Sequence, residues 1–155
     1  TDPEVIVIGA NEHFISNLIY QKIALNISAL PNKETSNEPV NVLFLPFGEI
    51  HDLGLFFLNY YLKLKGKKTV YLGKSIPFDN LFYVNSQIKN ITWITYFMID
   101  TTTEEKTMFL NNVEKLVSDN NNTSIIVGNI WDDFSKKNKN KKIFFKTSLQ
   151  DLIAN

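Results

Sequence analysis

From residue 40 onward the chain alternates short apolar runs, rich in β-branched and aromatic residues, with stretches of helical periodicity. No other feature constrains the fold as much. Val40–Leu45, Thr69–Leu72, Ile91–Met98, Ser124–Gly128 and Ile143–Phe145 read as strands. Leu53–Leu64, Pro77–Ile88 and Thr103 to about Val117 read as helices, with a short helix over Ile130–Phe134 and another over Ser148–Ala154. Pro77 suits a first helical turn, and Thr103 before Glu104-Glu105 reads as a cap with acids behind it. Asp119–Asn122 is a turn, and the lysine- and asparagine-rich run Lys136–Lys142 leads into the last strand. Strands separated by helices pair in parallel through right-handed crossovers, which puts helices on both faces. The expectation is an α/β, flavodoxin-like (Rossmann-like) sheet of five parallel strands in the order 2-1-3-4-5, with a ligand-binding switch point beside the first strand.

Upstream the pattern differs. Ile15, Leu18, Ile19, Ile23 and Ile27 form a helical stripe over residues 11 to about 29. Val5–Ile8 is β-branched and fits strand or helix, while Gly9 and Asn11 suggest a break, with Asn11 as a candidate N-cap. Pro31–Pro39 is a polar linker bounded by prolines. The division expected is a helical segment and linker over 1–38 and an α/β domain over 39–155.

Composition excludes several functions. The 155 residues contain no cysteine and two histidines, His13 and His51, which rules out disulfides, thiolate sites and a structural zinc cluster. Net charge is zero and every basic residue is lysine, a poor basis for reading DNA bases, where arginine supplies the bidentate contacts. No apolar run reaches the roughly 20 residues of a membrane span and no cleavable signal opens the chain, which leads to the expectation of a cytoplasmic protein without a membrane partner. No Ser/His/Asp set stands at strand ends, and the loop after the first strand lacks phosphate-binding spacing, which leads to the expectation of a region that is not itself an enzyme. Phe56, Phe57, Tyr60 and Tyr61 are spaced for two adjacent helix faces, one for the core and one free for an oligomer contact.

The candidate site is Glu49-Ile50-His51-Asp52-Leu53-Gly54, between the first strand and the first helix of the sheet domain. A lone histidine in a loop is often only a surface residue. Here Glu49 is placed to hydrogen-bond one ring nitrogen and leave the other for a metal, and Gly54 lets a bulky group approach the helix start. Asp52 reads as a ligand-loop residue or as the helix cap.

With its flanking strand and helix, this stretch resembles the cobalamin-binding signature (Asp/Glu)-x-His-x-x-Gly. The resemblance extends from Leu43-Phe44-Leu45-Pro46 through Gly66-Lys67-Lys68-Thr69-Val70-Tyr71-Leu72-Gly73 to Pro77 and Leu81, and is weaker beyond. Upstream, Glu12-His13 and the run Asn17–Lys22 resemble the last helix of the bundle that caps such domains. Together they are similar to the C-terminal half of MerR-type transcriptional regulators, including the light-sensing cobalamin-dependent repressors. The resemblance implies cobalamin as cofactor, His51 as the lower axial cobalt ligand, Glu49 as its partner, and Gly54 as the space for the nucleotide tail. It also implies Glu12 and His13 at the upper side of the corrin ring. Thr95 and Phe97 at the end of the third strand, and Gly128 at the end of the fourth, would line the tail channel. The family's small residues there are replaced by the bulkier Thr95-Tyr96-Phe97 and by Gly128-Asn129.

The function so implied is a sensor and oligomerisation region of a transcriptional regulator. It would bind a corrinoid between the helical cap and the α/β domain, form a homo-oligomer, and reach DNA only through a domain upstream of residue 1. Two alternatives carry the same fold: a degenerate domain acting only in protein interaction, and a corrinoid carrier module of a mutase or methyltransferase.

Overall fold

The structure, a computed structural model, describes residues 3–31, 38–118 and 121–153. Most of the Pro31–Pro39 linker, two positions of the Asp119–Asn122 turn, and Ala154 lie outside the described residues. The chain runs α1 (Pro3–Ala29), β1 (Val40–Pro46), α2 (Leu53–Leu64), β2 (Thr69–Ile76), α3 (Phe78–Gln87), β3 (Ile91–Tyr96), α4 (Thr103–Ser118) and β4 (Thr123–Val127). A 3-10 turn over Asn129–Trp131 then leads into α5 (Asp132–Lys137), β5 (Ile143–Lys146) and α6 (Gln150–Ile153). The five strands form one parallel sheet in the order β2-β1-β3-β4-β5, the flavodoxin-like order predicted from the alternation.

The interior strand β1 explains the sheet. Val42, Leu43, Phe44 and Leu45 are all buried, because a parallel strand covered by helices on both faces needs apolar side chains in both directions. Val42 and Phe44 pack with Trp93 of β3, Leu81 of α3 and Leu116 of α4. Leu43 and Leu45 pack on the other face with Ile94 of β3 and with Leu55 and Leu58 of α2. Burying each such side chain contributes about 1.5–3 kcal/mol.

Two buried polar contacts fix register. Thr69 Oγ1 donates to Asn59 Oδ1 at 2.7 Å, joining α2 to β2. Asn122 Oδ1 accepts the Ile91 amide at 2.8 Å, while its Nδ2 donates to Asn85 and to the Leu116 carbonyl. A single asparagine thus anchors the start of β3 to α3 and α4. At the head of α4 the cap is Thr102, one residue before the expected Thr103. Its Oγ1 accepts the Glu105 amide at 3.2 Å and the Glu105 carboxylate accepts the Thr102 amide at 3.0 Å, a reciprocal capping box.

The N-terminal helix departs from expectation. It is continuous from Pro3, so Asn11 is no N-cap. Pro3 stands at the first helical position, which proline favours, and an interior glycine costs a helix only about 1 kcal/mol. Of the expected stripe, Ile23 is buried and Ile27 half-buried, whereas Ile15, Leu18 and Ile19 are exposed. The cause is where α1 finds a partner. Tyr20 stacks on Phe56 near the start of α2, and Leu30 borders Lys63–Gly66 at its end, so the two helices run side by side in the same direction. The 17 residues before Tyr20 span roughly 25 Å, and α1 therefore extends roughly 20 Å past the start of α2, on the side of the sheet edge where β1 ends.

Candidate functional site

The loop between β1 and α2 lies at the switch point, since β1 has β2 on one side and β3 on the other. Glu49 is its centre. The side chain is almost wholly buried and accepts five hydrogen bonds. Oε1 takes the amides of Ile50 at 2.9 Å and His51 at 3.1 Å, and the His51 Nδ1 at 2.7 Å. Oε2 takes the amides of Met98 and Ile99, both at 3.3 Å. Those last two donors explain why β3 ends at Tyr96 instead of Met98: the next amides but one turn to the carboxylate and leave the sheet.

Burial pushes the Glu49 carboxyl upward, but hydrogen bonds from the His51 side chain and amide and from Met98 and Ile99 outweigh it. The group titrates below its ordinary 4.5. An ionised carboxylate only accepts, so the nitrogen facing it carries the proton. Neutral His51 is thereby held as the Nδ1–H tautomer. Its Nε2 lone pair is free on a side chain that is 48% exposed. The arrangement is that of a metal-ligating imidazole with its orienting carboxylate.

Asp52 is not a side-chain cap for α2; only its carbonyl enters the helix, accepting the Phe56 amide at 2.8 Å. Its buried carboxylate accepts hydrogen bonds from the hydroxyls of Tyr20 on α1 and of Tyr71 on β2, the latter at 2.8 Å, with the Lys74 ammonium 4.0 Å away. Burial first, and the Asp52 carboxylate second, push both phenols above their ordinary 10.0. Asp52 thus ties α1 to the sheet domain right beside His51. His13 stands two helical turns before Tyr20, about 10 Å further along the axis and on the same face. Glu12 and His13 are exposed and lie on the projecting part of α1, on the same end of the molecule as His51.

Of the residues expected along the tail channel, Phe97 and Gly128 border the cleft beside Gly54 and Thr95 does not. Along β3 the side chains alternate, so Trp93 and Phe97 face α3 and α4 while Ile94 and Tyr96 face α2. Thr95 shares the parity of Trp93 and Phe97. It is fully buried, its hydroxyl has no hydrogen-bond partner, and it does not reach the cleft beside Gly54. The Phe97 ring packs edge-on against Phe109 and Trp131, each 5.0 Å away between centroids. Phe97 nevertheless borders the cleft, as expected, and Tyr96 does so as well. Gly128 has a backbone reason for lacking a side chain: its φ is +140°, and a Cβ would stand 3.0 Å from the Phe97 carbonyl oxygen.

Gly54, Tyr96, Gly128 and Ser148–Gln150 border an open cleft of about 490 Å³. The gap left by the missing Cβ of Gly54 is filled. A Cβ there would lie 2.8 Å from the Leu149 Cδ1 and 3.7 Å from the Tyr96 Cε1. Leu149 was not among the residues expected at the site. Its sequence signal is only that of an apolar residue before a short helix, 95 positions from Gly54. The donor set therefore fits the cobalt end of a cobalamin, through His51, while at the floor of the cleft Leu149 and Tyr96 cover Gly54, where the nucleotide tail would seat.

Among the described residues, no three His, Cys, Asp or Glu side chains converge, and no helix is long and apolar enough to cross a membrane. No protein-family model and no curated protein sequence matches the chain. Among solved structures it is similar to the Methanosarcina barkeri monomethylamine corrinoid protein, with a TM-score of 0.66 and 13% identity, over 99% of this chain and 68% of that one. A cobalamin-binding protein from Desulfitobacterium hafniense DCB-2 aligns at 17% identity over 59% of this chain and 45% of that one, with a TM-score of 0.46. The first of these establishes a shared fold across almost the whole chain, α1 included.

Proposed function

We propose that this chain binds a corrinoid at the switch point, with the Nε2 of His51 as the lower axial ligand of cobalt. The observation that carries the reading is the Glu49–His51 pair, whose geometry engages Nδ1 and leaves Nε2 turned away from the carboxylate and open to solvent. His51 offers one ligand only, so a metal held here must bring most of its other ligands with it, as the cobalt of a corrin ring does. When bound, that group would supply the reactive cobalt centre. The chain's own residues orient the imidazole through Glu49 and hold α1 over the same end through Asp52.

In the fuller reading, residues 1–38 end a helical cap and the whole is the sensor and oligomerisation region of a transcriptional regulator. It would reach DNA through a separate domain and carry no reaction itself. The place of Glu12 and His13 on the projecting part of α1 supports it. A second reading, a corrinoid carrier module, is supported by the likeness to the monomethylamine corrinoid protein, which takes in α1 as well as the sheet.

The test is an absorbance spectrum after incubation with hydroxocobalamin or with diaquacobinamide and desalting, on the wild type and on His51→Ala. Retained corrinoid with a histidine-ligated spectrum, lost in the variant, is expected. Retention of neither corrinoid, or an unchanged spectrum in His51→Ala, overturns the reading and leaves a fold used for protein interaction alone. A change of oligomeric state on binding, followed by light scattering, favours the sensor; an unchanged mass favours the carrier.

A further inference from the structure

Once a histidine takes the lower face of cobalt, the base of a complete cobalamin's nucleotide loop must leave the metal. Tethered to the ring edge, it must be housed under the ring, against the protein. Here that space is the cleft beside Gly54, the first glycine after His51 and the start of α2. The cleft is open to solvent, and its floor at Gly54 is covered by two side chains. Leu149 places a methyl group 2.8 Å from where a Gly54 Cβ would be, and the Tyr96 ring stands 3.7 Å from the same point. Both side chains are partly buried and pack against the apolar cluster on the α2 face of the sheet, as do Leu152 and Ile153. The terminal segment is fastened as well: Tyr61 donates its hydroxyl to the Ile153 carbonyl at 3.2 Å, and Asp151 accepts the Ser148 amide at 2.9 Å. A swing of the Leu149 side chain uncovers only part of Gly54, and a base with its ribose seated there must also move Tyr96; overfilling a packed region is costly.

We infer that Leu149 and Tyr96 make the site selective for corrinoids that lack the lower nucleotide, of the cobinamide type, over complete cobalamins. The inference rests on the corrinoid reading and gives the ligand class within it. The ring and its cobalt need only His51 and the open upper end of the sheet. To seat against Gly54, the nucleotide must displace the two side chains that cover it.

The experiment is a spectroscopic titration of the full chain with diaquacobinamide and with hydroxocobalamin, comparing dissociation constants. Cobinamide is expected to bind more tightly by about tenfold or more. Leu149→Ala is expected to narrow that ratio by tightening cobalamin while leaving cobinamide unchanged, and Tyr96→Ala serves the same purpose should the first variant fail to fold. Cobalamin binding as tightly as cobinamide to the wild type, or a ratio that a folded variant leaves unmoved, overturns the selectivity while the corrinoid reading stands. Binding of neither overturns both.

Discussion

His51 Nδ1 lies 2.7 Å from Glu49 Oε1, and the same oxygen accepts the amides of Ile50 and His51. The carboxylate therefore fixes the loop and the imidazole tautomer together. Glu49→Gln keeps the size but turns an amide NH₂ toward donors that need an acceptor. The variant is expected to lose about 1–3 kcal/mol of stability in urea unfolding. It is also expected to show a mixture of His51 tautomers in ¹⁵N NMR, where the wild type shows the Nδ1–H form.

The link from α1 to the sheet should be separable from the sheet itself. Tyr20→Phe removes one hydrogen bond to the Asp52 carboxylate and leaves the Phe56 contact in place. A loss of about 1–2 kcal/mol is expected. Hydrogen exchange should speed up along α1 while the amides of β1 and β3 keep their protection.

The same cluster predicts an alkaline limit. Tyr20 and Tyr71 have their phenols raised above 10.0 by burial and by Asp52. In the unfolded chain they ionise near 10.0; in the folded chain they keep the proton to higher pH. Their contribution is thus complete below pH 10 and is lost as pH rises beyond it. Unfolding midpoints followed from pH 8 to 11 should fall more steeply in the wild type than in a Tyr20→Phe/Tyr71→Phe double variant.

Asn122→Ala leaves the Ile91 amide buried without an acceptor and removes two bonds to α3 and α4. The expected cost is about 1–3 kcal/mol, read as a lower denaturation midpoint with an unchanged slope. A loss below about 0.5 kcal/mol would mean that solvent reaches that amide.

Thr102→Ala removes half of the capping box at the head of α4. A loss of about 0.5–2 kcal/mol is expected, with faster hydrogen exchange confined to the first turn of that helix.

The alternation of periods from residue 40 onward determined the sheet, its strand order and the place of the switch point. Period and turn chemistry are local, and a run such as Val42–Leu45 is apolar in both directions only because helices cover both faces. The spacing from Glu49 to His51 was equally legible, since two residues bring a carboxylate and an imidazole together within one turn of chain. What the tertiary structure decided lies between residues far apart. Tyr20 claims Asp52 across 32 positions, which takes that side chain away from capping α2. The direction of Thr95 follows from where β3 sits in the sheet, which turns it away from the cleft that Tyr96 borders. Leu149 fills the gap of Gly54 because α6 folds back onto α2. The stripe on α1 is exposed because its partner helix begins only at Leu53, far along its length. Packing between distant segments depends on which surfaces the fold leaves free, and periodicity along one segment carries no information about that.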